Sequence, residues 1–431
     1  MKYKLTMKNM LSEHVEIFYD PYTSELTNQN GEYVVHKIED KTFSVAVPIS
    51  PESPGKKGEI GNLKIQLGLK CNYSCSYCSQ AEHIGNAIDS NNSDAISFMA
   101  NLDNWLHNVP KTIEFWGGEP FVYWSKIKIL LPVLREKFPD SRFLIITNGT
   151  LLDDEKIEFI EKYDIMIGMS HDGPAQSFRG PDPFKNETNV ATIRKLMALR
   201  PGKISFNMVL HSKNYDLNAI HDWFSTIVPN PALTIEGVVN VYDNYTQNNL
   251  GMFTKQQFVE LTDNVFMELV TKNRFYSLNG KLQDFMNSLK YARPISALGQ
   301  KCGMDRTDQI AVDLQGNVMT CQNTGSKGHH NIGHVNDYEN IALNTSMHLS
   351  HREECMNCPV VQLCKGSCMY LFGDQFAQSC WNEYYFNLGI FKAALFKLTN
   401  MVLINVEGEI VRPEFTEAHM KKHPKLMDLY S

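Results

Sequence analysis

Between residues 63 and 240 one pattern recurs six times: a short, almost wholly apolar run, then in most units a longer segment with helical spacing. The runs are LKIQLGL (63–69), TIEFWGG (112–118), RFLIITNG (142–149), DIMIGMS (164–170), KISFNMVLH (203–211) and LTIEGVVN (233–240). A strand that is apolar at nearly every position, not every second one, is covered on both faces. The helical segments supply that cover, and strand–helix–strand connections place successive strands in parallel. The expected fold class is therefore α/β, a parallel sheet closed into a partial (β/α)6 barrel. SDAISFMANLDNWLHNV, with Ser93 as N-cap, and WSKIKILLPVLREKF are the clearest helices.

The flanks read differently. Residues 1–62 are a β-rich segment and linker, with HVEIFY, EYVVHKI and TFSVAV as short strands before the Pro/Gly-rich SPESPGKKGEIGN. After the barrel, 63–240, comes a helical bridge, 241–300, then a loop-rich and cysteine-rich region, 301–385, and a C-terminal helix and tail, 386–431. The net charge of −7 without a basic cluster argues against nucleic acid as a main partner. No run approaches the roughly 18 apolar residues of a membrane span. The N-terminal residues mix charges into their apolar positions, so the reading is cytoplasmic, where ten cysteines point to metal or redox chemistry rather than disulfides.

Three of those cysteines follow the first barrel strand: Cys71, Cys75 and Cys78, in CNYSCSYC, spaced C-x3-C-x2-C. Three thiolates on one loop can hold three corners of a [4Fe–4S] cube and leave one iron for another ligand. A zinc site completed by His83 is the alternative at this point. The next strands end in Gly117, Gly118 and Glu119 (EFWGGEP), in Thr147, Asn148 and Gly149, and in Ser170 to Pro174 (SHDGP). Small and polar residues thus arrive at one edge of the sheet, where α/β folds build their sites. Downstream, Cys302 precedes G-x4-C ending at Cys321. CMNCPVVQLCKGSC then supplies Cys355, Cys358, Cys364 and Cys368, and Cys380 comes last. Paired zinc sites are the alternative here, for which seven cysteines is an awkward number.

CNYSCSYC and GGEP resemble the cluster loop and the methionine-amine motif of the radical S-adenosylmethionine (radical SAM) superfamily, with Tyr77 at the usual aromatic position. The seven later cysteines resemble the SPASM extension of that superfamily, a C-terminal, loop-rich, iron–sulfur-binding domain. The resemblance implies S-adenosylmethionine and three [4Fe–4S] clusters: one on Cys71, Cys75 and Cys78, one on Cys302, Cys321 and Cys368, and one on Cys355, Cys358, Cys364 and Cys380. It further implies that Gly117, Gly118 and Glu119 contact the methionyl amine, and that Ser170, Asn148 and Arg179 contact the ribose or carboxylate.

Members of this family modify peptides and proteins. The expected activity is oxidative modification of a ribosomally made peptide, forming a thioether, ether or C–C crosslink. A sulfatase-type maturase and a peptide epimerase are the enzymatic alternatives, and a zinc-stabilised interaction protein the non-enzymatic one. Gln322 stands where sulfatase maturases carry an aspartate base, and Asp305 and Asp308 are the candidates for a base or a further iron ligand. A peptide substrate with a leader, a separate leader-binding protein, and an electron donor such as flavodoxin or ferredoxin are the expected partners.

Overall fold

The computed structural model describes residues 2–38, 41–240 and 250–422. Three strands open the chain: β1 (Tyr3–Lys8), β2 (His14–Asp20) and β3 (Glu25–Thr27). The barrel follows, with strands β4 (Asn62–Gln66), β5 (Thr112–Trp116), β6 (Arg142–Thr147), β7 (Ile165–Ser170), β8 (Ile204–Leu210) and β9 (Leu233–Val238). These six pair in sequence order and all in parallel. Helices α1 (Asn92–Asn101), α2 (Trp124–Lys137), α3 (Asp154–Lys162), α4 (Glu187–Leu199) and α5 (Leu217–Ile227) connect them. Ile113, Phe115, Phe143, Ile145, Ile167 and Phe206 are fully or almost fully buried in the strands, as the apolar runs require. The N-cap of α1 is Asn91 rather than Ser93. Its side chain accepts from the Ser93 and Asp94 amides, and Asp94 accepts from the Asn91 amide, which closes a capping box.

The bridge is α6 (Lys255–Met267) and α7 (Tyr276–Lys290); its residues 241–249 lie outside the described set. The cysteine-rich region contributes more regular structure than its loops suggest. Strand β10 (Gln309–Asp313) pairs in parallel with β4 on the barrel's free edge, and β11 (Asn317–Met319) and β12 (Asn331–His334) extend the sheet in antiparallel fashion. The barrel sheet thus runs β12-β11-β10-β4-β5-β6-β7-β8-β9. Two single-turn helices, α8 (Glu353–Met356) and α9 (Val361–Cys364), carry cysteines. Helix α10 (Gly373–Thr399) begins nine residues before the apolar stretch that marks it in sequence, so Cys380 lies on it. Strand β13 (Val402–Glu407) returns to pair with β1, giving a second sheet β13-β1-β2-β3 from both chain ends, and α11 (Glu417–Lys422) follows. Two expected strands are missing. EYVVHKI makes only an isolated bridge, Thr27 to Tyr33, and TFSVAV is extended without a partner strand, with Val45 and Val47 exposed. No helix among the described residues is long and apolar enough to cross a membrane.

Helix α10 is the axle of the molecule, packed on α6, α7, β9 and β13. It crosses α6 at Gly389, where an added Cβ would lie 2.6 Å from the Thr262 carbonyl oxygen. Gly389→Ala should therefore destabilise the fold by about 1–3 kcal/mol through overpacking. Gly280→Ala, on α7 where the added methyl meets open space, should stabilise by about 0.5–1 kcal/mol. Urea unfolding of the two variants measures both signs.

Candidate functional site

The cysteine loop that leaves β4 rests directly on the end of β5. Gly117 has φ +155°, and an added Cβ there would strike the Gly68 carbonyl oxygen; one on Gly118 would strike that of Lys70. The two backbones are also bonded, the Gly118 amide to Gly68 O at 3.1 Å and the Glu119 amide to Lys70 O at 3.0 Å. Both glycines are thus required by packing under the loop. Further ties come from the neighbouring strand ends. Asn148 donates to Asn72 at 2.8 Å, the Ser76 amide and hydroxyl both donate to the Phe178 carbonyl, and the Lys70 amide donates to the Tyr123 hydroxyl at 2.6 Å.

Glu119 turns inward. It is 1% exposed, and it accepts from the Thr147 hydroxyl (2.7 Å), the Asn148 amide (2.7 Å) and the Phe121 amide (3.1 Å). Burial nevertheless pushes its carboxyl up to about 7, with those three donors working the other way. Beside the loop, Asp172 accepts from the buried Tyr77 hydroxyl and pairs with Arg179 at 3.0 Å, and the Arg179 guanidinium lies 5.5 Å from the Tyr77 ring centre. Burial works against the Arg179 charge, but Asp172 and Tyr77 outweigh it and the group is held well above its usual range. Burial, with Asp172 next, pushes the Tyr77 phenol upward.

A cavity of about 690 Å³ opens above this rim. Cys71, Cys75 and Cys78 line one part of its wall, and Cys302, Cys321 and Cys368 another. The second group is held there by contacts absent from any motif. The Gln66 amide, at the end of β4, donates to the carbonyls of Gln322 (2.8 Å) and Thr324 (2.9 Å). Trp116 and Gln80 both donate to the Asn323 side chain. Lys301, beside Cys302, pairs with the buried Glu383 of α10. The remaining cysteines, Cys355, Cys358, Cys364 and Cys380, line a small apolar space of about 20 Å³. The ten cysteines thus fall into two groups, six lining the large cavity and four the small one.

No three His, Cys, Asp or Glu side chains among the described residues converge on one ion position. Zinc thiolates at about 2.3 Å from the metal would stand within roughly 4 Å of one another, whereas a four-iron cube spreads its ligands over a larger body. His83 packs edge-on against His330 and Tyr370. Burial pushes the Cys75, Cys321 and Cys364 thiols up to about 12 and those of Cys358 and Cys380 to about 11, and raises the other five as well. Thiols so desolvated become thiolates when a metal takes the proton's place. The donor set therefore fits iron–sulfur clusters.

Ser170, Arg179, Asn148, Tyr77 and the Gly117–Glu119 shelf all line the cavity. Asp305 and Asp308 do not. Asp305 is buried, accepts from the Gln300 amide and pairs with His348 at 3.2 Å, beside a different cavity of about 230 Å³. Asp308 forms a surface ion pair with Arg306. Asp305 is nevertheless near enough to Cys302 for its charge to add to burial in raising that thiol. The carboxylate that does enter is Glu236, at the end of β9. It is open to the cavity, and no ion pair or hydrogen bond to it is formed among the described residues. Burial within the cavity walls raises its carboxyl, with Arg179 opposing. Sequence reasoning missed it because a lone Glu in an apolar strand carries no motif.

Residues 65–223 match the model of the Radical SAM superfamily. The chain carries a radical SAM domain. Such a domain implies one [4Fe–4S] cluster and S-adenosylmethionine. Over the longer chain, a radical SAM cyclopropyl synthase of Paramaledivibacter caminithermalis is 25% identical, covering 84% of this chain and 77% of that protein. A serine-type anaerobic sulfatase-maturating enzyme of Klebsiella aerogenes is 23% identical, covering 70% and 78%. The structure of anSMEcpe, an anaerobic sulfatase maturase, with bound AdoMet and the Cp18Cys peptide superposes with a TM-score of 0.57 at 18% identity, covering 80% of this chain and 99% of that one. This last likeness shows a shared fold. Beyond residues 65–223, the chain is similar over most of its length to a radical SAM cyclopropyl synthase and to anaerobic sulfatase-maturating enzymes.

The inward carboxyl of Glu119 gives a pH signature. Its pKa is about 7 in the fold against 4.5 for an ordinary glutamate. Its proton-linked contribution to stability is therefore fully present below about pH 4.5 and lost as pH rises to about 7. Unfolding free energies of the parent and Glu119→Gln, measured from pH 5 to 7.5, should diverge by up to about 1.36 kcal/mol per pH unit, the parent falling.

Proposed function

We propose that this protein is a peptide maturase with three [4Fe–4S] clusters, which forms a carbon–carbon bond within a ribosomally made peptide by oxidation. The observation that carries this reading is the shared cavity, whose lining includes both three-cysteine sets. When bound, the cluster on Cys71, Cys75 and Cys78 and S-adenosylmethionine supply a 5′-deoxyadenosyl radical that abstracts hydrogen, and the second set's cluster supplies an electron sink. The cyclopropyl synthase relative favours C–C bond formation over thioether or ether formation.

The chain's own residues position and relieve. Gly117 and Gly118 hold the loop, while Ser170 and the unpartnered Nε of Arg179 face the ribose and carboxylate of S-adenosylmethionine. Glu236 accepts the proton that the substrate gives up, the role the sequence suggested for Asp305 or Asp308. The domain division at 62/63, 240/241, 300/301 and 385/386, with residues 301–385 as a SPASM domain, belongs to this reading. So do a leader-bearing peptide, a separate leader-binding protein, and flavodoxin or ferredoxin as electron donor. The sulfatase maturases among the relatives support a second reading, protein formylglycine formation. Gln322 counts against it: its side chain lines the cavity and cannot take up a proton as an aspartate does.

Anaerobically reconstituted protein should bind about twelve irons, four per cube, and cleave S-adenosylmethionine under reduction. Alanine at Cys71, Cys75 or Cys78 should abolish cleavage, and persistence of cleavage would sink the assignment. Mass spectrometry of a co-expressed peptide encoded beside the gene should show loss of two hydrogens. An aldehyde on a sulfatase peptide, trapped by a hydrazine after serine loses two hydrogens or cysteine exchanges its sulfur for oxygen, would favour the second reading, and solvent deuterium uptake at unchanged mass an epimerase. Glu236→Gln should retain cleavage of S-adenosylmethionine while peptide product falls at least tenfold.

A further inference from the structure

The four-cysteine set has a charge set against it that no motif announces. The Arg412 guanidinium lies 3.5 Å from the Tyr384 ring centre and 5.2 Å from that of Trp381, and its NH1 nitrogen is 4.0 Å from Cys380 Sγ. Among the described residues no carboxylate pairs with it. A guanidinium that is only partly open to water and has no anion beside it bears a desolvation cost, and four neutral thiols do not offset it. The arrangement balances only when an anionic group occupies the space those cysteines line.

The segment that carries Arg412 has its own anchors. Tyr3 donates to the Glu409 carbonyl at 3.0 Å, Phe415 is buried, and the Thr416 amide donates to Asp374 at 2.7 Å. Holding the segment in place therefore does not depend on the Arg412 charge. On the other side, Arg352 is engaged by the carbonyls of Met369 and Leu371 and by the Phe376 face, and Glu354 opposes with a negative charge.

We infer that Arg412 sets the reduction potential of a [4Fe–4S] cluster held by Cys355, Cys358, Cys364 and Cys380. This rests on the reading above that these four cysteines hold a cluster. Reduction adds one electron and no proton, so the reduced form is the more negative and Arg412 favours it. Net charge and solvent exposure at a cluster are among the levers that fix its potential. An arginine packed on two aromatic rings supplies the first and limits the second.

The test is a potentiometric titration followed by electron paramagnetic resonance, on reconstituted full-length enzyme with dithionite as electron source. Cys380→Ala identifies the wave that belongs to this set. In Arg412→Gln that wave should move at least tenfold in reduction equilibrium constant, about 59 mV negative for one electron, while the other waves stay. Arg412→Lys, which keeps the charge, should recover most of the shift. An unmoved wave in Arg412→Gln, or equal shifts in both variants, would overturn the inference. If Cys380→Ala leaves iron content and all waves unchanged, the cluster assignment itself fails and the inference with it.

Discussion

The contact on which the site depends is backbone against backbone: the Gly68–Lys70 turn lying on the Gly117–Gly118 shelf. Side chains are excluded there, since a methyl at either glycine would occupy the position of a carbonyl oxygen. Two amide-to-carbonyl bonds then lock the start of the cysteine loop to the end of β5. The same closeness rotates Glu119 beneath the loop, where it gathers donors from the ends of β5 and β6. A carboxyl with three hydrogen bonds to neighbouring segments acts as a rivet between strand ends, and burial makes that rivet sensitive to pH near neutrality.

The second wall of the cavity is fixed from the barrel as well. Gln66, Trp116 and Gln80 reach from the first two strand ends and the first cysteine loop to the 322–324 backbone and side chains. Strand β10 adds a parallel ladder to β4 just upstream of Cys321. The two three-cysteine sets therefore share a scaffold, and their separation is set by one sheet. Helix α10 completes it by burying Glu383 against Lys301 while carrying Cys380 to the four-cysteine set.

The six barrel strands were legible because burial on both faces writes a continuous apolar run, a signal that needs no partner to be read. The first cysteine loop was legible because its C-x3-C-x2-C spacing is local and follows directly on a strand. What escaped depends on distant partners. QIAVD looks like any short apolar stretch until β4 offers an edge, and β13 becomes a strand only because β1 is there to pair with it. TFSVAV alternates like a strand but finds no ladder. Asp305 and Asp308 sit near Cys302 in sequence, yet a side chain's direction after a tight turn is set by its partners, here His348 and Arg306.

Charge balance within the cavity follows from the same pairings. Arg179 is matched by Asp172 and Lys301 by Glu383, so these two cations of the large cavity are each paired with a buried carboxylate. Replacing either carboxylate would leave an uncompensated cation beside desolvated thiols. Glu236 alone among the cavity's carboxylates is neither riveted nor paired among the described residues. Glu236 is exposed in the cavity wall, so it keeps its water and its lack of a partner costs the fold little.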